Sequence, residues 1–453
     1  MIVRPVLCRP FIGRQQELKY LRERRLEAGL SRGGFVLVAG DAGLGKSRLI
    51  DEFCDSLAYS RWKIGRGACL QFAGPPYGPL REAFLQLGPE AFDSNAAATQ
   101  REQFDRIAER LAAISSRSAV ALVIDDIHWA DAATLDSLVY LSGKVERMRV
   151  LVVASVRSEE LHSAHPAAAA ITRMSRSRRF GRIDLEPLRG KELQTFVDEA
   201  LEAIDLPVPF QRAVIRAGEG NPFFTEELLK SAVERQARGI DANERVFPHS
   251  VRAILLERLR PFTEDERRII AQAAAIGRTF QLDLLTATLG SRVQDVLPAL
   301  NRARDFQIVE EQSPGTFRFR HGLTREAIYG EFLAVEMRPR HREIALALES
   351  EPPERRSIEA LAYHWWAAGD AEKSAAYNEM AGDAAAAVHA HEDAIALYER
   401  ALESSIVPLS RGAIVKKIAD RRLALGWKRK RPTAQPRICT RKPAHTNWRP
   451  DAA

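Results

Sequence analysis

The sequence predicts an α/β core with a parallel sheet, followed by a helical lid, a winged helix and a helical arm. Two apolar runs, at residues 34–39 and 119–124, each end in polar residues, as buried parallel strands do. Residues 307–320 read as a hairpin that follows several helical segments. From Arg338 onward the chain is rich in alanine with helical spacing. The length of 453 residues suggests about three domains.

The first apolar run leads into a glycine-rich loop and then a helix. The loop fits the pattern GxxxxGK[ST], which in this strand–loop–helix setting is the phosphate-binding P-loop. Glycines let backbone N–H groups surround phosphate oxygens, and the helix N-terminus adds positive potential. Lys46 supplies a charge for the β- and γ-phosphates, and the Ser47 hydroxyl is placed for Mg²⁺. The nucleotide-binding candidates here are Gly40, Asp41, Ala42, Gly43, Leu44, Gly45, Lys46, Ser47 and Arg48.

The second apolar run ends in Asp125 and Asp126. Ligand chemistry gathers at the carboxyl ends of parallel strands, so this pair is expected near the P-loop. We interpret Asp125 as the Walker-B acid that holds Mg²⁺, and Asp126 as the residue that polarises the attacking water. The alternative is a solvated turn with no catalytic role.

Three more strands complete one sheet, at residues 62–68, 149–155 and 182–185. A strand inserted between those of the two motifs, as residues 62–68 are in sequence, favours the subclass that contains AAA-type ATPases. Arg157 follows the fourth strand and is predicted to sense the γ-phosphate. A structural salt bridge is the alternative for this residue.

Charge and composition exclude several classes. The net charge is +7, but residues 427–453 hold eight basic residues against one aspartate, so residues 1–426 are neutral. The pI near 9.3 therefore does not mark the body of the protein as a nucleic-acid binder. Apolar runs are far shorter than the roughly 18 residues of a membrane span, and no secretory signal is visible. Four cysteines without CxxC spacing fit the cytoplasm.

Four ordered motifs resemble those of bacterial STAND ATPases (signal transduction ATPases with numerous domains). They are an opening box at Phe11–Leu18, the acidic motif Asp125–Asp131, a lid motif at Gly218–Phe224 and a motif spanning Phe319–Tyr329. The resemblance covers about residues 10–405. Such ATPases sit in large LuxR-type transcription regulators and in some cyclase fusions.

The resemblance implies roles that spacing cannot supply. The opening box would line the adenine pocket, and the lid proline would contact the base. The winged-helix histidine would reach the β-phosphate of bound ADP, although a histidine at a strand end is otherwise usually structural. The matching positions are Phe11, Ile12, Gly13, Arg14, Pro222 and His321.

Local patterns divide the rest of the chain. Asn221 can cap a helix that starts at Pro222, and the pairs Thr263/Glu266 and Ser291/Gln294 read as helix starts. The winged helix could read DNA, but the helix after Ser291 shows no basic stripe. The predicted domains are a P-loop core (1–185), a lid (186–243), a winged helix (244–335), an incomplete tetratricopeptide-like arm (336–426) and a basic, disordered tail (427–453).

These expectations combine into a cytoplasmic ATP/ADP-binding ATPase that acts as a regulatory switch and hydrolyses ATP slowly with Mg²⁺. The resemblance implies self-association in the ATP form, while the arm would bind a protein or small-molecule inducer. The break in the repeat pattern near Gly426 suggests a truncated family member. The alternatives are a non-hydrolysing nucleotide-binding scaffold or remnant, and an Orc-like DNA-associated ATPase.

Overall fold

The computed structural model describes residues 8, 10–58, 60–71, 74–88, 99–202, 204–237, 251–405 and 408–426. The core contains five strands: β1 (Gly34–Gly40), β2 (Lys63–Ala68), β3 (Val120–Asp125), β4 (Val150–Arg157) and β5 (Phe180–Asp184). Its helices are α1 (Gln15–Gly29), α2 (Lys46–Asp55), α3 (Gly78–Leu87), α4 (Gln100–Arg117), α5 (Ala132–Lys144) and α6 (Pro166–Met174). Every strand pair in this sheet is parallel.

The core sheet has the strand order β2-β3-β4-β1-β5. In the sheet, the strand between β1 and β3 is therefore β4. Residues 62–68 lie between the two motifs along the chain, but they form β2 at the edge of the sheet. Alternating residues of β1 face two hydrophobic clusters: Val36 and Val38 pack with α1 and α2, and Phe35 and Leu37 pack in the cluster that contains α3 and α5. Both faces of β1 are thus buried, which explains its continuous apolar sequence.

The segment predicted as a lid is helical. It contains α7 (Gly190–Leu201), α8 (Val208–Gly218) and α9 (Pro222–Ala237). Asn221 caps α9 as predicted, because its side-chain oxygen accepts from the N–H of Phe224 at 3.1 Å. The three helices share one hydrophobic cluster that includes Phe196, Phe210 and Leu228.

The next segment, called the third domain below, joins helices to a small antiparallel sheet. Its elements are α10 (Val251–Glu257), α11 (Glu264–Ile276), β6 (Thr279–Gln281), α12 (Leu282–Leu289), α13 (Val293–Asp305), β7 (Val309–Ser313), β8 (Thr316–Phe319) and α14 (Gly322–Tyr329). The predicted hairpin is confirmed, since β7 pairs antiparallel with β8, and β6 joins on the other side of β8. The predicted capping box at Thr263 and Glu266 is present and starts α11.

The arm consists of five helices: α15 (Ala334–Glu349), α16 (Ile358–Ala368), α17 (Ala371–Ala387), α18 (His391–Ser404) and α19 (Pro408–Ala424). Helices α17 and α18 pack closely at a small residue. A Cβ at Gly382 in α17 would lie 2.5 Å from a ring carbon of Tyr398 in α18, so only glycine fits this contact. Trp365 is buried, whereas Trp366 is 36% exposed.

The remaining sequence-based expectations concern the tail and membrane spans. The expectation for residues 427–453 lies outside the described residues. Within the described part of the chain, no helix is both long and apolar enough to cross a membrane.

Candidate nucleotide-binding site

The glycine-rich loop joins β1 to α2 at the carboxyl edge of the sheet. Gly43 and Gly45 have φ angles of +85° and +91°, a backbone region that glycine enters without steric cost. Lys46 is 7% exposed, and its Nζ donates to the carbonyl oxygens of Gly40 at 2.6 Å and Asp41 at 2.9 Å. Burial lowers the pKa of Lys46. The structure therefore holds the ammonium group of Lys46 within the loop.

One loop N–H group already contacts an anionic side chain. The N–H of Ala42 donates to the Glu159 carboxylate at 2.8 Å. A phosphate presents the same kind of negatively charged oxygen, and Ser47 lies in the first turn of α2, where the helix N-terminus favours anions. The donors of this loop thus fit a nucleotide phosphate. Arg48, in contrast, donates to the carbonyl oxygens of Cys8 and Pro10, each at 2.8 Å, and ties the N-terminal segment to α2.

Asp125 lies at the end of β3, where both of its carboxylate oxygens have partners. Arg66 on β2 approaches one oxygen with Nε at 2.8 Å and Nη2 at 2.7 Å. Ser155 on β4 donates to the other at 3.0 Å. Among the described residues, no group of three or more His, Cys, Asp or Glu side chains could hold a metal ion. Ser47 and Asp125 remain the predicted ligands of a Mg²⁺ ion, together with phosphate oxygens, the arrangement Mg²⁺ commonly adopts with nucleotides.

Asp126 is buried and has an unusual backbone conformation. Its φ is +58° and it is 8% exposed, which marks a conformation that the surrounding structure must enforce. The Asp126 N–H donates to Ser155 Oγ at 2.9 Å, which fixes that conformation. Burial raises the pKa of Asp126, although the charges of Arg157 and Arg278 act in the opposite direction. Arg278, from the third domain, places Nη1 at 3.5 Å from Asp126 Oδ2.

Arg157 ends β4 and is 7% exposed. Its Nη2 lies 2.9 Å from Glu326 Oε1, its Nη1 lies 3.2 Å from Glu160 Oε1, and its guanidinium stacks 4.5 Å above the ring of Trp129. These are the ion pairs that the alternative interpretation of Arg157 expects. The role of Arg157 as a phosphate sensor stays a prediction.

The predicted base-contacting residues gather at one cavity beside the P-loop. Gly13 is the exception, because it does not line the cavity. Its φ of +68° instead shapes the turn, and a Cβ there would lie 3.1 Å from Leu188. The lining residues are Pro10, Phe11, Ile12, Arg14, Leu44, Gly45, Arg48, Leu188, Phe196 and Pro222. Apolar side chains with two arginines at the rim suit a flat heteroaromatic base.

The lid motif closes over the loop. Asn221 Nδ2 donates to the carbonyl oxygen of Ala42 at 3.0 Å, and the N–H of Phe223 donates to the carbonyl oxygen of Gly43 at 3.3 Å. His321 packs on Phe223 with ring centroids 4.3 Å apart. Its Nε2 is buried and has no hydrogen-bond partner among the described residues, and burial lowers the pKa of His321 to about 3. A buried nitrogen without a partner beside the lid fits a ligand atom.

Sequence reasoning missed the residues that contact the site from distant parts of the chain. Arg66, Ser155 and Glu159 belong to the core, whereas Arg278 and Glu326 belong to the third domain. A charged residue inside a short strand, as Arg66 is, was the one available signal, because a buried charge needs a partner. Glu326 lies within the motif Phe319–Tyr329, but that motif does not indicate its contact with the core, and no spacing rule links Ser155, Glu159 or Arg278 to the motifs.

The sequence of this chain is similar to those of known proteins. Residues 10–153 match the family model described as AAA ATPase domain. The chain is 25% identical to uncharacterized protein R02095 of Rhizobium meliloti (strain 1021), in a match that covers 87% of this chain and 42% of that protein. The chain thus spans less than half the length of this relative.

Solved structures show the fold. PH0952 of Pyrococcus horikoshii, a STAND protein with a tetratricopeptide repeat sensor, is similar with a TM-score of 0.55 at 14% identity, over 92% of this chain and 62% of that one. A chain of Drosophila ORC bound to DNA has a TM-score of only 0.36 at 13% identity, over 72% and 88% of the two chains, and supports no conclusion. The chain therefore contains an AAA ATPase domain within a fold similar to that of a STAND ATPase with a tetratricopeptide repeat sensor.

Proposed function

We propose that this chain is an ATP/ADP-binding signal-transduction ATPase that acts as a nucleotide-dependent switch with slow hydrolysis. The observation that carries the proposal is the convergence of three segments on the P-loop. Asn221 of the lid binds the loop carbonyl of Ala42, the opening box and Pro222 line the base cavity, and His321 packs on lid residue Phe223. A nucleotide bound there would contact all three segments, so its state can bias their arrangement.

Different side chains of this chain would bind the phosphates and activate the attacking water. Lys46 would bind the β- and γ-phosphates, and Asp126 would orient and polarise water from a buried position. A bound Mg²⁺ would supply positive charge at the phosphate oxygens. The pairing of Asp126 with Arg278 and of Arg157 with Glu326 fits slow turnover, because both groups are engaged.

The remaining segments complete the proposal. The third domain would be a winged helix, since its order of helices and strands and its three-stranded sheet suit that fold. The arm would be a tetratricopeptide-like sensor that receives a protein or small-molecule inducer in the cytoplasm. Self-association would accompany the ATP form.

The proposal is tested by the nucleotide that the purified protein retains and by ATP turnover. Lys46→Ala should lose the copurifying nucleotide and hydrolysis together, because Lys46 supplies the charge inside the loop. Lys191→Ala, an exposed lysine in α7, is the matched control and should behave as wild type. Wild-type protein that retains no nucleotide and binds neither ATP nor ADP would contradict the proposal.

A scaffold that binds nucleotide without hydrolysis is the second candidate, and the two engaged catalytic groups favour it. It predicts retained nucleotide with equal, background hydrolysis in wild type and Lys46→Ala. An Orc-like role has less support, because Arg302 of α13 binds Glu266 at 3.0 Å within the third domain. That role requires duplex binding with a steep salt dependence that survives deletion of residues 427–453.

A further inference from the structure

Two ion pairs of opposite polarity cross from the core to the third domain. In one, the core supplies the cation Arg157 and α14 supplies Glu326, with Nη2 to Oε1 at 2.9 Å and Nη1 to Oε2 at 3.2 Å. In the other, the core supplies the anion Asp126 and the third domain supplies Arg278, at 3.5 Å. The two core residues are the ones predicted to act on the γ-phosphate and on water.

The helix that carries Glu326 is fitted to the core. A Cβ at Gly322, the first residue of α14, would lie 3.2 Å from Arg157 Nη2, so the absence of a side chain permits the close approach. Arg325, next to Glu326, donates to Gln71 of the core at 2.6 Å and to the carbonyl oxygen of Ala274 at 2.9 Å. Arg325 therefore ties α14 both to the core and to α11 of its own domain.

Arg278 lies between α11 and β6, in the part of the third domain that faces Asp126. The side chain of Arg278 is 31% exposed. Its Nε is buried and has no hydrogen-bond partner among the described residues. Burial lowers the pKa of Arg278, and the charge of Asp126 opposes this effect. The contact with Asp126 is thus the main compensation for the placement of this cation.

We propose that Glu326 and Arg278 form a latch that withholds Arg157 and Asp126 from the reaction while the third domain is docked. The latch consists of side chains of this chain and contains no atom of the nucleotide. Separation of the domains would free Nη2 of Arg157 for an anionic oxygen and the carboxylate of Asp126 for water at the same time. This inference rests on the proposed function, because it assigns those two core residues to catalysis.

Glu326→Gln tests the first pair, because it keeps the shape of the side chain and removes the charge. In protein stripped of nucleotide, hydrogen exchange of the α14 amides should quicken about tenfold or more, the effect of losing one charge-assisted contact. Glu310→Gln is the matched control, since Glu310 pairs with Arg318 inside the third domain. Exchange in Glu326→Gln that equals the control would overturn the latch.

Arg278→Gln tests the second pair through the rate of a single turnover. The latch predicts that hydrolysis becomes several-fold faster than in wild type, because Asp126 loses its partner. Arg292→Gln, which disrupts only an exposed pair with Asp295, should leave the rate unchanged. Slower hydrolysis in Arg278→Gln would overturn the latch and make Arg278 a participant in the reaction.

The two proposals fail in different ways. If wild type hydrolyses ATP while Glu326→Gln and Arg278→Gln hydrolyse it no faster, the latch fails and the proposed function stands. If wild type and every variant lack hydrolysis, the enzymatic part of the proposed function fails, and the latch fails with it.

Discussion

Glu227 is the most sharply testable charge in the lid. Its side chain is fully buried on α9 and contacts two cations, Lys230 at 2.8 Å and Arg258 at 2.6 Å. Burial alone would raise the pKa of Glu227, but Lys230 and Arg258 outweigh it and lower the pKa from 4.5 to about 2. At about 1.4 kcal/mol per pKa unit, the charged form gains about 3 kcal/mol in the folded protein.

The substitution Glu227→Gln should remove that gain and leave Lys230 and Arg258 without their shared anion. We expect the local opening of α9 to become about 3 kcal/mol easier, which is roughly a 100-fold faster hydrogen exchange of its amides at pH 7. Because the folded pKa is depressed, the stabilisation is complete above pH 4.5 in wild type and is lost as the pH falls toward 2.

The control is Glu226→Gln, measured by the same exchange of the α9 peptides. Glu226 is nearly as buried and contacts Lys230 at the same 2.8 Å, whereas Arg258 pairs with Glu227. Its loss should accelerate exchange much less. Equal exchange in Glu227→Gln and Glu226→Gln would refute the argument that the shared anion stabilises the lid.

Three further changes probe other levels of the structure. Gly43→Ala should weaken binding of a fluorescent ADP analogue, because the new Cβ would lie 2.7 Å from Asn221 Oδ1 and the residue has a φ of +85°. The control is Gly315→Ala, where φ is a similar +78° but no atom lies within 4 Å of the new Cβ. This control variant should bind the analogue as wild type does. Thr263→Ala should lower the stability of the third domain by about 1 kcal/mol in urea unfolding, unless the capping box contributes nothing. Asp393 accepts from the N–H groups of Ala132 and Ala133, and burial with Asp131 and Glu392 raises its pKa to about 7. Docking of the arm should weaken as the pH rises from 5 to 8, because the folded state binds the proton more tightly, and Asp393→Asn should flatten that dependence when exchange of α18 is measured.

The elements of the core were predictable because their signals are local. The strand predicted at residues 34–39 is observed at Gly34–Gly40, and the one predicted at 119–124 at Val120–Asp125. Each is buried on both faces, so its sequence is a continuous apolar run. The position of β2 at the sheet edge was not predictable in this way, since strand order depends on contacts between distant segments.

The capping-box pattern, a serine or threonine followed three residues later by glutamate or glutamine, predicted one helix start correctly and failed at another. Thr263 and Glu266 form the predicted capping box, but Ser291 and Gln294 do not. Ser291 Oγ donates instead to the carbonyl oxygen of Leu289 at 3.2 Å, and α13 begins after Arg292, which pairs with Asp295. A serine near a helix start can satisfy the preceding turn instead of the helix, and the sequence does not distinguish these uses.

Some residues of the candidate site were predictable from the sequence, and others were not. The loop residues and the two aspartates follow from motifs in which sequence neighbours act together. Arg66, Arg278 and Glu326 act on those residues from positions that are close only in the folded chain. The pairing of these charges across domains is therefore set by the fold, even though Glu326 itself lies in the motif Phe319–Tyr329.

The chemistry of the domain contacts bears on which of them can open. The arm packs on the third domain through an apolar cluster that includes Ala275, Ile344 and Trp365, and further arm residues lie in the cluster on one face of the core sheet. Within the described residues, no hydrophobic cluster joins the core to the third domain directly, and the contacts between them are the charged and polar pairs of Arg157, Asp126 and Gln71.

Water can replace the partners of separated charges, whereas separated apolar surfaces lose their burial outright. The contact between the core and the third domain can therefore open and close at a lower cost than the apolar contacts of the arm. The same contact holds Arg157 and Asp126, so its opening changes the groups predicted to act on the nucleotide. An apolar arm that spans both sides would resist that opening, and an inducer that moved the arm would make it easier.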